Sequence, residues 1–380
     1  MRVRTVRARV IKNSRGEDAI EVTVNKRYTA STPSGASRGK YEVSPFSHRG
    51  VQFSVTFVNK YPHFSRLSLD EFGDLAVFDS LLPVIGGNAV LALQLACLKA
   101  MAQGDVYRFL NPRAKKLPIP LGNCVGGGAH THGQHVPDVQ EYLLVPQGKT
   151  FAERMMVNQG IYDLVGRLAG ARARNDEGAY VLQVSDENVF RFLTMVLDGA
   201  ERMGLRAALG IDLAASQLFV RGAYHYHHLS SHAKVLSRRE QIALVRQWIK
   251  DYHLVYVEDP LDEEDFDGFS QINTQALVCG DDLVATNLER LKLAHKKRSV
   301  NCVIVKPNQA GSLVKTWRVV QYCQKNDIMM VISHRSGETM DTSIAHLAVA
   351  WKVPYIKCGI HGKEREVKLQ ELVRIEQEIL

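Results

Sequence analysis

Over roughly its last two-thirds the chain repeats one pattern. In each repeat a short apolar run is followed by a polar residue and then by a stretch with helical spacing. The runs are unbroken by polar residues, as expected of parallel strands that are buried on both faces. From Glu258 onward the polar residues that end the runs lie about 25 positions apart, which is the length of one β-α unit. The pattern predicts a (β/α)8 barrel of the TIM type, although a doubly wound open sheet would give the same rhythm.

Helical patterns lie between these runs, and two of them open with a capping box, in which a hydroxyl residue is followed three positions later by Glu. The boxes are Thr150 with Glu153 and Ser237 with Glu240. The interval between residues 212 and 258 is about double the others, so we expect an irregular or longer unit there. The helices predicted in this part are Phe151–Leu168, Asp186–Met203 and Arg238–Lys250.

The first 115 residues have a different, mixed character. Apolar residues at helical spacing without Gly or Pro predict a helix over Asn88–Met101. Ala19–Val24 and Lys40–Val43 are expected to be short strands around the loop Ser31–Gly39. A stretch of Pro and basic residues at 111–117 is a plausible linker. We therefore predict a small α+β capping domain over residues 1–115 and the catalytic barrel over residues 116–380.

Composition adds limits on the class of protein. The chain has 380 residues, of which 45% are hydrophobic and 23% charged, as in an ordinary folded protein. No apolar run is long enough to cross a membrane, and the Arg-rich start does not look like a secretory signal. The six cysteines form no CxxC pair, which favours reduced thiols and a cytoplasmic location. The net charge of +8 indicates either affinity for nucleic acid or anionic substrates, or simply a basic surface, and we favour the basic surface.

Three carboxylates end successive strand-like runs: Asp212, Glu258 and Asp281. In a barrel they would converge near the axis, where they would resist ionising unless a cation held them. Oxygen ligands that leave room for water and substrate suit Mg²⁺. The alternative is that each acid caps a helix or pairs with a lysine, but this explains three in succession poorly.

Basic and hydroxyl residues end the later runs. Lys306 beside a divalent cation could act as a general base, and Lys357 could hold a substrate anion. The segment Ser333–Gly337 offers a histidine, a guanidinium and hydroxyls, which is a usual way to bind phosphate. The alternative is that both lysines simply lie on the surface and that Ser333–Gly337 is an ordinary surface loop.

Other polar spots are less specific. Gln140, Glu141 and Glu177 each fit a turn or a cap as well as a catalytic role. The Gly-rich loop that carries His130 and His132 could bind zinc, but neither cysteines nor an HExxH pattern supports such a site.

Taken together, these motifs resemble the enolase family of phosphopyruvate hydratases. The resemblance runs over nearly the whole chain, and SHRSGET with GDDL and IKCG, in this order and spacing, is its most specific part. The matching segments are PSGAS at 33–37, GGNAVLALQLACLKA at 86–100, QEYLLVP at 140–146, DEG at 176–178, IDLAAS at 211–216, VEDP at 257–260, GDDLVATN at 280–287, VKPNQAGS at 305–312, SHRSGETMDT at 333–342 and IKCG at 356–359.

The resemblance implies a capping domain on a barrel and the reversible, Mg²⁺-dependent dehydration of 2-phosphoglycerate to phosphoenolpyruvate in glycolysis and gluconeogenesis. It implies two Mg²⁺ ions per site, the second arriving with the substrate. Asp212, Glu258 and Asp281 would bind the first ion, and Ser37 the second. Lys306 would be the base that removes the C2 proton.

The resemblance also implies roles for residues that contact the substrate or assist the reaction. These are Glu177 as the general acid, Glu141 in support of it, Lys357 on the substrate carboxylate, Arg335 and Ser336 on its phosphate, Gln140 in substrate binding, and His130 and His334 near the substrate. An insertion leaves His132 as an alternative to His130. The family further implies a homo-oligomer, either a dimer or an octamer.

Two other functions remain open at this point. An enzyme of the same fold could act on another carboxylate with an acidic α-proton, although Lys357, Arg335 and Ser336 suit a phosphorylated one. A non-catalytic RNA-binding relative would fit the basic charge, but it should have lost some of these polar strand ends. We therefore expect a small-molecule partner and neither a membrane nor a nucleic-acid partner.

Overall fold

The computed structural model describes residues 1–35, 38–131, 136–228, 234–272 and 274–380. Two of the residues discussed above, Ser37 and His132, lie outside these ranges, as does the side chain of His130.

The chain begins with a three-stranded antiparallel sheet covered by helices. Its strands are β1 (Val6–Lys12), β2 (Asp18–Val24) and β3 (Tyr28–Thr32), paired in the order β1-β2-β3. Four α-helices follow, α1 (Val51–Lys60), α2 (Leu82–Ile85), α3 (Gly87–Met101) and α4 (Val106–Leu110), with 3-10 turns at Pro62–Arg66 and Phe72–Leu81. Nearly every residue of α3 is buried, so this helix is the core of the N-terminal domain.

The rest of the described chain forms a closed barrel with helices outside it. The strands in chain order are β4 (Ile119–Gly126), β5 (Glu141–Pro146), β6 (Tyr180–Val181), β7 (Ala207–Asp212), β8 (Phe219–Val220), β9 (Ala223–His225), β10 (Val235–Leu236), β11 (Tyr256–Glu258), β12 (Leu277–Gly280), β13 (Cys302–Val305), β14 (Met329–Ser333) and β15 (Tyr355–Lys357). Eight of them close the barrel in the order β4-β5-β7-β11-β12-β13-β14-β15, because β15 pairs with β4. This closure confirms the barrel and excludes the open sheet.

The helices of this part are α5 (Phe151–Ala169), α6 (Asp186–Arg202), α7 (Arg238–Asp251), α8 (Phe266–Phe269), α9 (Leu288–Lys296), α10 (Pro307–Ala310), α11 (Leu313–Lys325), α12 (Ser343–Ala350) and α13 (Lys363–Ile379). Both predicted capping boxes are present, at the starts of α5 and α7. The long interval before residue 258 contains a small antiparallel sheet of β8, β9 and β10 in addition to α7.

One barrel strand departs from a strict β-α repeat. β5 runs antiparallel to both neighbours, β4 and β7, whereas the other barrel pairs are parallel. The barrel therefore starts with a hairpin, and α5 and α6 follow in succession. Because β5 is reversed, its first residue, Glu141, lies at the barrel end where the parallel strands finish, opposite Asp212.

The prediction of a strand at Lys40–Val43 is wrong. These residues form a turn that docks on the barrel, where the backbone N–H of Val43 donates to the carbonyl of Gln309 at 3.0 Å. The edge strands β1 and β3 were not expected. In β1, apolar residues alternate with exposed Arg side chains, which is a strand pattern that the sequence analysis missed.

The N-terminal domain is anchored to the barrel by a buried amide. Gln94 of α3 accepts a hydrogen bond from the backbone N–H of Leu313 at 2.7 Å, and this N–H opens α11. The loop after β3 also pairs with the barrel, because Ser34 and Gly337 exchange backbone hydrogen bonds of 2.9 Å. These contacts hold the loop that leads to Ser37 against the end of β14.

Each of the six cysteines, all within the described ranges, is buried with a free thiol. Among the described helices, none combines the length and the apolar character needed to cross a membrane.

Candidate active site

A cavity opens at the barrel end where the parallel strands finish. Its lining is dominated by charged and polar side chains, a composition that suits a small anionic ligand with a cation. The lining includes Glu42, Gln140, Glu141, Glu177, Asp212, Gln217, Asp259, Asp281, Asp282, Lys306, His334, Arg335, Ser336 and Lys357.

Strand register explains why the three predicted carboxylates lie at this end of the barrel. Asp212 and Glu258 are paired residues on the neighbouring strands β7 and β11. Glu258 is also opposite Cys279 of β12, and Asp281 lies two residues further on. Because residues two apart on a strand point to the same side, Asp281 projects toward the other two from the next layer.

A buried ammonium ion links these acids. The Nζ atom of Lys357 lies 2.8 Å from Asp212 Oδ2, 2.9 Å from Glu258 Oε2 and 3.3 Å from Glu141 Oε1. Although burial opposes its charge, the surrounding carboxylates raise the pKa of Lys357 well above its ordinary value. Lys357 therefore stays charged.

Two of the acids around Lys357, Glu141 and Glu258, resist ionising. Burial and the nearby Asp212 raise the pKa of Glu258 to about 8, although Lys357 acts in the opposite direction. Burial also raises the pKa of Glu141 well above its ordinary value. One ammonium ion thus compensates the cluster incompletely, as expected where a further cation is needed.

The second lysine forms a separate pair. Lys306 Nζ donates to Asp281 Oδ2, and Gln309 Nε2 donates to the other carboxylate oxygen at 2.8 Å. Although burial opposes it, the Asp281 carboxylate raises the pKa of Lys306 to about 12. In this arrangement Lys306 is a cation, so a role as base requires that Asp281 be engaged elsewhere.

The donor set fits a divalent cation. Glu258 is fully buried, and its Oε1 has no hydrogen-bond partner among the described residues, while its Oε2 accepts from Tyr256 and Lys357. An ionisable oxygen left without a partner in a buried acidic cluster is what a metal ligand looks like without its metal. The oxygens of Asp212, Glu258 and Asp281 could hold a hard cation.

A second acidic cluster shares Asp281. Carboxylate oxygens of Asp259, Asp281 and Asp282 lie within 4.8 Å of one another and could also hold a metal ion. However, Asp259 already accepts the backbone N–H groups of Asp281 and Asp282, at 3.0 and 2.7 Å. Asp259 therefore shapes the turn that presents Asp281, a role that the sequence analysis missed.

Glu177 and His334 lie in the same cavity. Glu177 is buried, and Asn123 Nδ2 donates to its Oε2 at 3.4 Å. Burial lowers the pKa of His334 well below its ordinary value, so this imidazole is neutral. Its Nδ1 has no hydrogen-bond partner within the described part of the chain.

The phosphate-binding candidates are held from the N-terminal domain. Glu42 accepts from Arg335 Nη1 at 2.8 Å and from Nη2 at 3.1 Å, and Asn308 accepts from Nη1 at 3.2 Å. Although burial opposes it, Glu42 raises the pKa of Arg335. Ser336 lines the cavity beside Arg335. Glu42 could not be found from the sequence, because its partner lies 293 positions away.

Of the remaining predicted site residues, Gln140 lies in the cavity, whereas Ser37 and the side chain of His130 lie outside the described atoms. Gln140 Nε2 donates to Asp212 Oδ2 at 3.4 Å, and its Oε1 accepts from Gln217 at 3.0 Å. The backbone of His130 ends the 3-10 turn Gly128–His130, and its side chain lies outside the described atoms together with Ser37. The other predicted site residues all line the cavity except Glu258, which is fully buried behind the lining and contacts Lys357 at 2.9 Å.

Comparison with known proteins agrees with this geometry. The family model "Enolase, C-terminal TIM barrel domain" matches residues 114–380. A protein named enolase from Archaeoglobus fulgidus is 37% identical, over 99% of this chain and 98% of its own length. Enolases from Methanothermobacter thermautotrophicus and Natronomonas pharaonis are 36% and 35% identical, with at least 97% of either chain covered. The chain belongs to the enolase family of lyases.

Proposed function

We propose that the protein catalyses the Mg²⁺-dependent, reversible dehydration of 2-phosphoglycerate to phosphoenolpyruvate in glycolysis and gluconeogenesis. The observation that carries the proposal is the group of side chains at this end of the barrel, where three strand-end carboxylates, Asp212, Glu258 and Asp281, are paired with two lysines, Lys306 and Lys357. Relatives over almost the whole chain are named enolase, which supports the same reaction.

Substrate binding would use the positive groups of the cavity. Lys357 remains charged and would bind the substrate carboxylate, while Arg335 and Ser336 would bind the phosphate. Gln140 completes the substrate contacts at the rim beside Asp212. Asp212, Glu258 and Asp281 would hold one Mg²⁺, and Ser37 the second. When bound, these ions supply positive charge opposite the substrate carboxylate, where negative charge develops.

Lys306 would remove the C2 proton. The C–H electron pair would move into the substrate carboxylate, and the proton would remain on Nζ. A neutral lysine is required for this step, whereas Asp281 now keeps Lys306 protonated. Engagement of Asp281 as a metal ligand would weaken this ion pair and lower the pKa of Lys306 toward the working range of a general base.

Glu177 would complete the dehydration. It would donate a proton to the C3 hydroxyl as the C3–O bond breaks, so that water leaves and the C2–C3 double bond forms. Glu141, held 3.3 Å from Lys357, would support this acid electrostatically, and neutral His334 could hydrogen-bond near the leaving group. His130 would approach the substrate from its loop.

The test is turnover by the purified full chain. We expect ultraviolet absorbance from phosphoenolpyruvate when 2-phosphoglycerate and Mg²⁺ are supplied, and none after chelation of the metal. Lys306→Ala should lower kcat by about 10²- to 10⁴-fold, the usual contribution of a general base. Lys315→Ala removes an exposed lysine of α11 and should change nothing. Absence of turnover by the wild-type protein, or full activity of Lys306→Ala, would contradict the proposal.

We also propose a setting for this activity. Six buried free thiols favour a reducing compartment, so we propose a cytoplasmic location. The boundary near residue 115 would separate a capping domain from the catalytic barrel, and the protein would work as a homo-oligomer, a dimer or an octamer. Mass measurement in solution tests the oligomeric state.

A further inference from the structure

One buried arginine outside the proposed reaction groups joins two loops of the site. Arg365 lies in the first turn of α13 and is 2% exposed. Its Nη2 atom donates to the backbone carbonyl of Asp176 at 3.1 Å and to that of Ser336 at 3.0 Å. A single nitrogen atom therefore bridges two segments that are 160 positions apart in the chain.

Both carbonyls stand next to residues of the proposed reaction. The carbonyl of Asp176 belongs to the peptide bond that leads into Glu177, the proposed acid. The carbonyl of Ser336 belongs to one of the two residues proposed to bind phosphate. Arg365 thus links the segment that carries the acid to the phosphate-binding loop.

The surroundings of Arg365 indicate that this residue does more than fill space in the core, because its charge is buried without an ion-pair partner in the part of the chain that the structure describes. Within the described residues it forms no ion pair shorter than 4 Å, and its Nε has no hydrogen-bond partner. Glu338, the acid on the neighbouring loop, is paired with Lys368 instead. Burying a charge without an ion-pair partner is costly, and an apolar side chain of similar volume would cost less.

The backbone around Arg365 is fitted to it. Gly359 has φ of 75°, and a Cβ atom there would lie 2.8 Å from Arg365 Cδ and 3.4 Å from the carbonyl oxygen of Glu177. Only glycine accommodates both the conformation and this close approach. The segment before α13 is therefore shaped to bring Arg365 under the loop that carries Glu177.

The N-terminal domain holds the same two loops from the other side. Ser14 Oγ donates to the carbonyl of Ser336 at 3.1 Å, and the guanidinium of Arg15 pairs with the side chain of Asp176. Two independent pairs of contacts thus fix the same two points of the chain.

We propose that Arg365 is a positioning residue that holds Glu177 in register with the phosphate-binding loop, so that the acid reaches the C3 hydroxyl of a substrate fixed by its phosphate. This proposal rests on the proposed function. It assigns to Arg365 an effect on C3–O cleavage, the step of Glu177, and not on removal of the C2 proton by Lys306.

The two steps can be measured separately. In D₂O, removal of the C2 proton and its return as a deuteron label 2-phosphoglycerate without loss of water. Loss of water is measured as phosphoenolpyruvate. Imprecise placement of Glu177 slows only the second process, so the ratio of C2 exchange to turnover rises. A general loosening of the fold lowers both processes and leaves the ratio unchanged.

The principal variant is Arg365→Gln, which removes the charge and shortens the reach to the two carbonyls. We expect kcat to fall by about tenfold or more, equivalent to about 1.4 kcal/mol of transition-state free energy, with a raised exchange-to-turnover ratio. Arg365→Lys retains a cationic donor and should recover part of both changes. The matched control is Lys368→Gln on the same helix, because Lys368 is equally buried but binds the carbonyls of Thr339 and Glu364. Its ratio should equal that of the wild-type protein.

An unchanged ratio in Arg365→Gln, or the same rise in Lys368→Gln, overturns the proposal. Thermal melting establishes that each variant is folded at the assay temperature. If neither Arg365 variant folds, Gly359→Ala tests the same idea, because its Cβ atom would lie 2.8 Å from Arg365 Cδ and displace that side chain, and an unchanged ratio there also overturns the proposal. Failure of the proposed function is distinguishable, because the wild-type protein would then show no turnover.

Discussion

Lys357 offers the sharpest test of how charge is distributed in the cavity. Its side chain is 3% exposed, and its ammonium group lies within 3.3 Å of three carboxylates, two of which have raised pKa values. Lys357→Met keeps all but the last atom of the side-chain length and leaves Glu141, Asp212 and Glu258 without their shared cation. Removing one partner of a buried ion pair costs about 3–5 kcal/mol, and we expect a loss of this size in the metal-free protein.

The loss of stability in Lys357→Met should grow as pH rises. Without the ammonium group, which lowers the pKa values of Glu141 and Glu258, these two pKa values rise further above those of the unfolded chain. A carboxyl with a raised pKa in the folded state contributes full stability below its unfolded pKa and loses it as pH rises. The variant should therefore be closest to the wild-type protein near pH 5 and furthest below it near pH 8, where about 3 kcal/mol or more separates them.

Urea unfolding at both pH values, with and without Mg²⁺, measures the effect. A divalent cation among the same oxygens replaces part of the lost charge, so Mg²⁺ should stabilise the variant more than the wild-type protein. Turnover should remain lost, because the substrate carboxylate has lost its partner. Lys325→Met, which removes an exposed lysine at the end of α11, is the control. A variant as stable as the wild-type protein at pH 8 without metal, or equal stabilisation of both by Mg²⁺, would refute this reasoning.

Two further predictions concern acidic side chains, Asp186 and Glu42, that hydrogen-bond to residues in or next to the site. Burial raises the pKa of Asp186 to about 7 from an ordinary 3.8, so stability is lost as pH rises between these values. The free energy of unfolding of Asp186→Asn should therefore rise relative to that of the wild-type protein, by up to about 4 kcal/mol between pH 4 and pH 8. Urea unfolding measures this difference, and a difference that does not depend on pH would contradict the prediction. Glu42→Gln should lower the free energy of unfolding by about 3 kcal/mol, because it leaves the buried guanidinium of Arg335 without its bidentate partner. An unchanged urea midpoint would show that the pair contributes nothing.

Local features were predicted well where the physical cause is local. The capping boxes that begin α5 and α7 use residues three positions apart, so the sequence itself contains both partners. The polar residues that follow each barrel strand were also predictable, because a buried parallel strand is an apolar run whose end is visible in the sequence. Asp212 and Glu258 end β7 and β11, Lys306 follows β13, and Lys357 ends β15.

Predictions failed where a segment depends on distant partners. The turn at Lys40–Val43 has the alternation of a strand, but its side chain Glu42 is fixed by Arg335 and its backbone by Gln309. The reversed direction of β5 was equally invisible, since an apolar run carries no mark of its direction. That reversal is what brings Glu141 to the same end of the barrel as Asp212.

The sequence by itself determined the repeat, the closed barrel as the favoured of two folds, and the identity of the chemical groups at the strand ends. These follow from hydrophobic period, from capping and from the family's motifs, all of which are written along the chain. Only the tertiary structure decided how these groups share charge: that Lys357 holds three acids together, that Asp281 keeps Lys306 protonated, and that Arg365 ties the loop of Glu177 to that of Ser336. The physical reason is that electrostatic and hydrogen-bond energies depend on distances across the fold, between residues that the sequence separates by tens to hundreds of positions.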